Sequence, residues 1–96
     1  MKVKVRYFTT LRELAQRAEE EFELEDSVCL GDLIEIIVSK YGNEARQYLY
    51  SNEDQRIVDP SIRFLIFGKD SKMIRGLKTQ LKDGDTIAII PPIGGG

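Results

Sequence analysis

The sequence has 96 residues, one domain of the size at which a single hydrophobic core suffices. Hydrophobic residues make up 42 %, charged residues 31 %, and the net charge is -2 with acids and bases interspersed, so a broad basic surface for nucleic acid is not expected. There is no histidine and a single cysteine, Cys29, which excludes an intramolecular disulfide and argues against a zinc site or a Ser-His or Cys-His nucleophile.

Over residues 1–8, Met1, Val3, Val5 and Tyr7 fall on one side and Lys2, Lys4, Arg6 and Phe8 on the other. That period of two predicts a strand with one buried face. Thr9 or Thr10 is expected to cap a short helix, with Glu13 in capping-box position relative to Thr10 and Leu11, Leu14 and Ala15 as its apolar side. Residues 19–24 read as a second strand, Phe22 and Leu24 inward and the glutamates outward, polar enough for a sheet edge. Ser27 or Cys29 opens the main helix. In it Leu30, Leu33, Ile34, Ile37 and Tyr41 recur at helical spacing, Asp32 sits in the first turn where the helix dipole favours an acid, and Gly42 ends it. Residues 43–50 read as a short helix with Ala45, Tyr48 and Leu49 apolar.

Residues 51–60 are polar, end in Asp59-Pro60 and are expected to form a surface loop. A third strand comes next at 62–67, with Ile62, Phe64 and Ile66 against Arg63, Leu65 and Phe67. A turn is expected at 68–71 and a short extended piece at 73–77. Asp83-Gly84 marks a tight turn before the final strand at 86–90, where Ile87 and Ile89 oppose Ala88 and Ile90. The strand before the main helix and the final strand are expected side by side in the interior of the sheet. Pattern alone gives an α+β class, one helix on a four- or five-stranded sheet. The Lys69, Lys72 and Arg75 cluster reads as a solvated loop, so no nucleic-acid partner is expected. The first residues lack the apolar core of a signal peptide and no apolar run is long enough to span a bilayer, so a cytoplasmic location and no membrane partner are expected.

The sequence closes Ile90-Pro91-Pro92-Ile93-Gly94-Gly95-Gly96. Proline cannot donate to a ladder and fixes φ, so Pro91-Pro92 ends the last strand and stiffens the chain's exit from it. Glycine lacks a Cβ, so Gly94, Gly95 and Gly96 can thread a channel too narrow for other side chains. The expected working group is the carboxylate of Gly96.

From residue 62 onward the chain resembles the ubiquitin-like sulfur carriers, and among them the MoaD-like small subunits of molybdopterin synthase. The resemblance rests on Leu81, the Asp83-Gly84-Asp85 turn, the apolar strand 86–90, and Pro91-Pro92 with a Gly-Gly end. At the other end Val3-Lys4-Val5-Arg6-Tyr7-Phe8 and Leu11-Arg12-Glu13-Leu14-Ala15 are similar to the family's first strand and "LREL" helix. The chain departs from the family pattern at Gly94, at Phe67-Gly68-Lys69 and in a longer 51–60 stretch. The resemblance implies a β-grasp domain over 1–90, one main helix on a mixed four- to five-stranded sheet, and a flexible tail over 91–96.

It also implies a chemistry. An ATP-dependent adenylating enzyme, similar to the ubiquitin-activating ones, activates the Gly96 carboxylate, and a sulfur donor converts it to a thiocarboxylate. The molybdopterin synthase large subunit then receives the tail, and the sulfur goes to a pterin precursor. On this reading the chain binds no cofactor, ATP being used by the activating enzyme, and is itself no enzyme, the catalytic groups lying on the large subunit. Gly95 and Gly96 carry the chemistry. Phe8, Leu65, Phe67, Ile90, Pro91, Pro92, Ile93 and Gly94 form the partner-binding set. The alternative is a ubiquitin-like modifier conjugated through Gly96 to target-protein lysines, with a further service in tRNA thiolation.

Other residues have plainer readings. Phe8 and Ile90 lie on the polar sides of their strands, and with Leu65 or Phe67 they make an exposed apolar patch if those strands are neighbours. Cys29 reads as a cap-region residue rather than a persulfide relay. The acids Glu19, Glu20, Glu21, Glu23, Glu25 and Asp26 read as a solvated strand edge rather than a cation site, and Tyr48 and Tyr50 as packing residues.

Overall fold

The computed structural model describes residues 1–52, 54, 57–67, 72–74 and 76–92. The expected turn at 68–71, the cations Lys69 and Arg75, and Ile93, Gly94, Gly95 and Gly96 lie outside the described residues. The elements in order are β1 (Lys2–Arg6), α1 (Thr9–Ala15), β2 (Glu19–Glu23), α2 (Leu30–Tyr41), α3 (Asn43–Leu49), β3 (Tyr50–Asn52), β4 (Ile57–Val58), β5 (Arg63–Phe67), β6 (Lys72–Ile74) and β7 (Thr86–Ile90).

Five strands form one sheet in the order β2-β1-β7-β5-β6. β1 runs parallel to β7, and the other three pairs are antiparallel. This is a β-grasp, with the first and last strands at the centre. The strand that directly precedes α2 is therefore not beside the final strand. β2 lies at the sheet edge, and β1 takes the central place next to β7. A two-residue period decides the arrangement: Val3, Val5, Phe64, Ile66, Ile87 and Ile89 are all buried and form one face. A strand reading EEEFE can supply fewer apolar side chains and goes to the edge.

α2 covers the buried face. Leu30, Leu33, Ile34, Ile37 and Val38 are buried along one stripe, each such side chain contributing about 1.5–3 kcal/mol when removed from water. Its start is held by Asp32, whose Oδ2 accepts from the Cys29 backbone N–H at 3.1 Å and from the Cys29 thiol at 3.2 Å. These bonds hold the Asp32 carboxyl below its ordinary range. Gly42, at φ 84°, separates α2 from α3 in a conformation that other residues rarely adopt.

Three further expectations fail. First, neither Thr9 nor Thr10 caps α1: the N-cap is Phe8, extended at φ -132° with no side-chain bond. Both threonines already lie inside the helix, past the position from which a hydroxyl reaches the first free N–H groups. Secondly, residues 51–60 are not simply a loop. β3 and β4 pair antiparallel, Tyr50 opposite Val58 and Asn52 opposite Ile57. The buried Tyr50 anchors this small sheet, and the β-branched Ile57-Val58 suits it. Asp59 closes it, its N–H donating to the Leu49 carbonyl at 2.8 Å and its Oδ1 accepting from the Ser61 N–H at 2.9 Å. Thirdly, Glu20 does not face outward. It sits opposite Val5 in register, on the inward side, and is only 5 % exposed. Among the described residues no helix is long and apolar enough to cross a membrane.

Candidate functional site

β7 begins after a turn that is tied down on both sides. The Lys2 N–H donates to Asp83 Oδ1 at 2.7 Å, and the Gly84 N–H donates to the Lys2 carbonyl at 2.8 Å. Gly84 supplies the turn's positive φ, 88°. From there β7 runs between β1 and β5 to Ile90, which lies opposite Arg63. The half-buried Pro91 and the exposed Pro92 come next, outside any ladder. A chain leaving a central strand this way departs from the middle of the sheet.

The face of the sheet away from α2 is built in columns. β2 contributes Glu19, Glu21 and Glu23, which lie opposite Arg6, Lys4 and Lys2 of β1. The Glu19 carboxylate forms ion pairs with Arg6, at 3.2 Å from its Nε, and with Lys4, at 3.7 Å from its Nζ. These charges are solvated and contribute little individually. β7 then contributes Thr86, Ala88 and Ile90, and β5 contributes Phe67, Leu65 and Arg63 opposite them. The result is an acidic column, a basic column and an apolar strip.

Within the strip Leu65 and Ile90 are half-buried and Phe67 is 38 % exposed. Leu65 sits directly opposite Ala88, which is buried although it faces outward, because its small side chain lies between Leu65 and Arg6. Phe8 comes two residues after the end of β1 and is 39 % exposed. Leu65 and Ile90 thus lie toward the end where Pro91 and Pro92 depart, with Phe8 two residues beyond the Arg6–Ala88 pair, while Phe67 extends the strip to the opposite end. Exposed aromatic and aliphatic side chains in such a strip are suited to a protein partner.

Beneath the same end lies a cluster that the sequence reading missed. Glu20 Oε1 accepts from the Tyr7 hydroxyl at 2.7 Å and from the Tyr41 hydroxyl at 2.5 Å. Its Oε2 accepts from Lys40 Nζ and lies 3.8 Å from the Arg17 guanidinium. The two tyrosine rings meet edge to face, centroids 6.1 Å apart. Burial by itself raises the Glu20 carboxyl, but the bonds from Lys40, Tyr41 and Tyr7 together hold it below its ordinary range. Burial, then the Glu20 carboxylate, pushes Tyr7 up, and the same causes push Tyr41 up to about 12. The parity that turns Phe22 and Leu24 inward also turns Glu20 inward, so the signal was present in the sequence.

The remaining candidates take structural places. Cys29 is the half-buried N-cap of α2. Glu19, Glu21, Glu23, Glu25 and Asp26 are exposed, and among the described residues no three potential ligand side chains converge on a metal position. Tyr50 is buried with its hydroxyl donating to Glu35, and Tyr48 is half-buried.

Comparison with known proteins adds kinship to this geometry. The model of the ThiS family matches residues 5–96. A molybdopterin synthase sulfur carrier subunit from Chlamydomonas reinhardtii is 33 % identical, over 100 % of both chains. The small archaeal modifier protein 3 of Haloferax volcanii is 27 % identical, again over 100 % of both chains. Among solved structures, the small archaeal modifier protein 1 of Methanosarcina acetivorans is 36 % identical with a TM-score of 0.74, covering 99 % of this chain and 96 % of that one.

Proposed function

Because this chain belongs to the ThiS family of ubiquitin-like sulfur carriers, we propose that it carries sulfur on the carboxylate of Gly96 as the small subunit of a molybdopterin synthase. The observation that carries the reading is the departure of Pro91-Pro92 from the centre of the sheet, beside the apolar strip of Leu65, Ile90 and Phe8. The strip grips the partner while the terminal glycines reach into it.

A carboxylate is a poor acyl donor, since its charge repels nucleophiles and oxide is a bad leaving group. Activation consumes ATP on a separate adenylating enzyme: a Gly96 carboxylate oxygen attacks the α-phosphorus, and pyrophosphate leaves. Sulfide then attacks the acyl carbon, and AMP departs with that oxygen, leaving the thiocarboxylate. On the large subunit this sulfur is the nucleophile toward the pterin precursor. The large subunit supplies the acid and base groups, and the small chain supplies the reagent and its orientation. The domain over 1–90 is the grip and 91–96 the arm. The lone Cys29 accords with a cytoplasmic location, where such partners work.

The likeness to archaeal modifier proteins favours a second reading, conjugation of Gly96 to lysines of target proteins. Both readings pass through the same acyl adenylate. Reconstitution with the host's large subunit and a pterin precursor tests the first: product forms with the full chain and not after deletion of Gly95-Gly96. Immunoblots of host cells for high-mass adducts, lost on the same deletion, test the second.

A further inference from the structure

From the charge pattern around the end of β7 we infer that Arg63 is a specificity-determining residue, pairing with a carboxylate on the large subunit that receives the tail. The inference rests on the proposed function and names the chemistry that its partner presents.

The outward charges of β1 and β2 answer one another across the ladder: Lys2 with Glu23, Lys4 with Glu21, Arg6 with Glu19. β7 presents no charge on this face, since its outward residues are Thr86, Ala88 and Ile90. Arg63 is what remains. Among the described residues of β1, β2, β5 and β7, it is the outward charge with no opposite charge across from it in these ladders; its partner in the β5–β7 ladder is Ile90. It is exposed and stands at the last rung of β7, one residue before Pro91. Any surface that covers Ile90 and Leu65 also comes down on this guanidinium.

Covering it without a partner would strip water from an unpaired charge, which is costly. A neutral apolar surface is therefore disfavoured, and a basic one is repelled. A carboxylate is matched in charge and in shape, because the guanidinium fork can give it two parallel hydrogen bonds. The apolar side chains alongside exclude water and strengthen the pair. Arg6, by contrast, already shares Glu19. Arg63 thus distinguishes a partner with an acid beside its apolar contact from one without.

The test is calorimetric titration of the host's molybdopterin synthase large subunit with the wild-type chain and four variants, at low and high salt. Arg63→Glu and Arg63→Lys probe the pair. Lys78→Glu makes the same charge change in the exposed stretch beside Leu77, whose carbonyl accepts from the Gly31 N–H at the start of α2. Phe8→Ala probes the strip. Arg63→Glu is expected to weaken binding about tenfold or more at low salt, with a smaller loss at high salt, and Lys78→Glu to stay within about twofold of wild type. Arg63→Lys, which keeps the charge and the fold, is expected to fall between them. If Arg63→Glu binds like Lys78→Glu while Phe8→Ala binds weakly, the inference fails and the proposed function stands. If the wild-type chain does not bind the large subunit, both fail.

Discussion

The Tyr7 hydroxyl donates to Glu20 Oε1 at 2.7 Å, joining the residue just after β1 to the inward face of the edge strand β2. Phe8 comes directly after Tyr7, two residues beyond the Arg6–Ala88 pair with which the β1–β7 ladder ends. Lys40 and Tyr41 bring the end of α2 to the same carboxylate. One buried acid thus ties together the strand, the helix and the edge that frame the tail's departure.

Removing that acid is expected to destabilise the fold. In Glu20→Ala, two hydroxyls and an ammonium lose their common acceptor, and the loss is expected to be about 2–4 kcal/mol, since a buried donor left unsatisfied costs about 1–3 kcal/mol. Tyr7→Phe removes one donor of several and is expected to cost about 1 kcal/mol. Urea unfolding of the three proteins measures both. An unchanged midpoint for Glu20→Ala would show that the cluster is not stabilising.

The same cluster sets how stability depends on pH. Glu20 titrates below its ordinary value in the folded chain. Its contribution is therefore complete above about pH 4.3, its unfolded value, and is lost as pH falls through the lower folded value. Asp32 and Asp59 are shifted in the same direction and add to this acid limb. The tyrosines run the other way. Tyr41 is raised to about 12, so above about pH 10 the unfolded chain has lost a proton that the folded chain retains. Stability is then lost as pH rises toward about 12. Melting temperatures from pH 3 to 11 are expected to form a plateau with both flanks falling, and Glu20→Gln is expected to have a shallower acid flank, about one carboxyl less steep.

Two glycines at positive φ hold the frame of the site. Gly84 lies at 88° in the turn that fixes the start of β7, and Gly42 at 84° between α2 and α3. Neither has an atom within 4 Å of where a Cβ would stand, so the cost of alanine there is conformational rather than steric. Gly84→Ala and Gly42→Ala are each expected to destabilise by about 1–2 kcal/mol. Denaturant midpoints check this, and a change below about 0.5 kcal/mol, the size of an ordinary surface substitution, would show that these turns relax freely.

The apolar strip is expected to matter for binding and little for folding. Phe8 and Phe67 are 39 % and 38 % exposed. Phe8→Ala and Phe67→Ala are expected to weaken association with the large subunit by about 1–2 kcal/mol each, about tenfold in affinity. Ile36→Ala, on the exposed side of α2 at 38 %, is the matched control and is expected to leave affinity unchanged. Equal losses at all three positions would move the interface off the sheet face.

The sequence shows most of the frame because the frame is periodic. β7 has the same bounds in pattern and structure, and the helical stripe of α2 and the alternation of β1 point to the faces that are buried. The failures each have a local cause. Neither threonine could be recognised as lying past the N-cap, because that depends on where Phe8 leaves the strand. The pairing of β3 and β4 is carried by Tyr50 and Ile57-Val58 inside an otherwise polar stretch, too short to show a period. Glu20 was obscured by its neighbours: among so many acids the strand read as solvated, although its parity with Phe22 turned it inward. The apolar strip was legible residue by residue, whereas the unanswered charge of Arg63 emerges only once the register is known.

The central claim is that sulfur is carried at Gly96, and intact-mass spectrometry tests it most directly. The purified chain is incubated with ATP, the host's adenylating enzyme and a sulfide source. The predicted result is a mass gain equal to one oxygen replaced by sulfur, absent when ATP is omitted or Gly96 is deleted. No such gain, with the adenylating enzyme shown to be active on another substrate, would contradict the account.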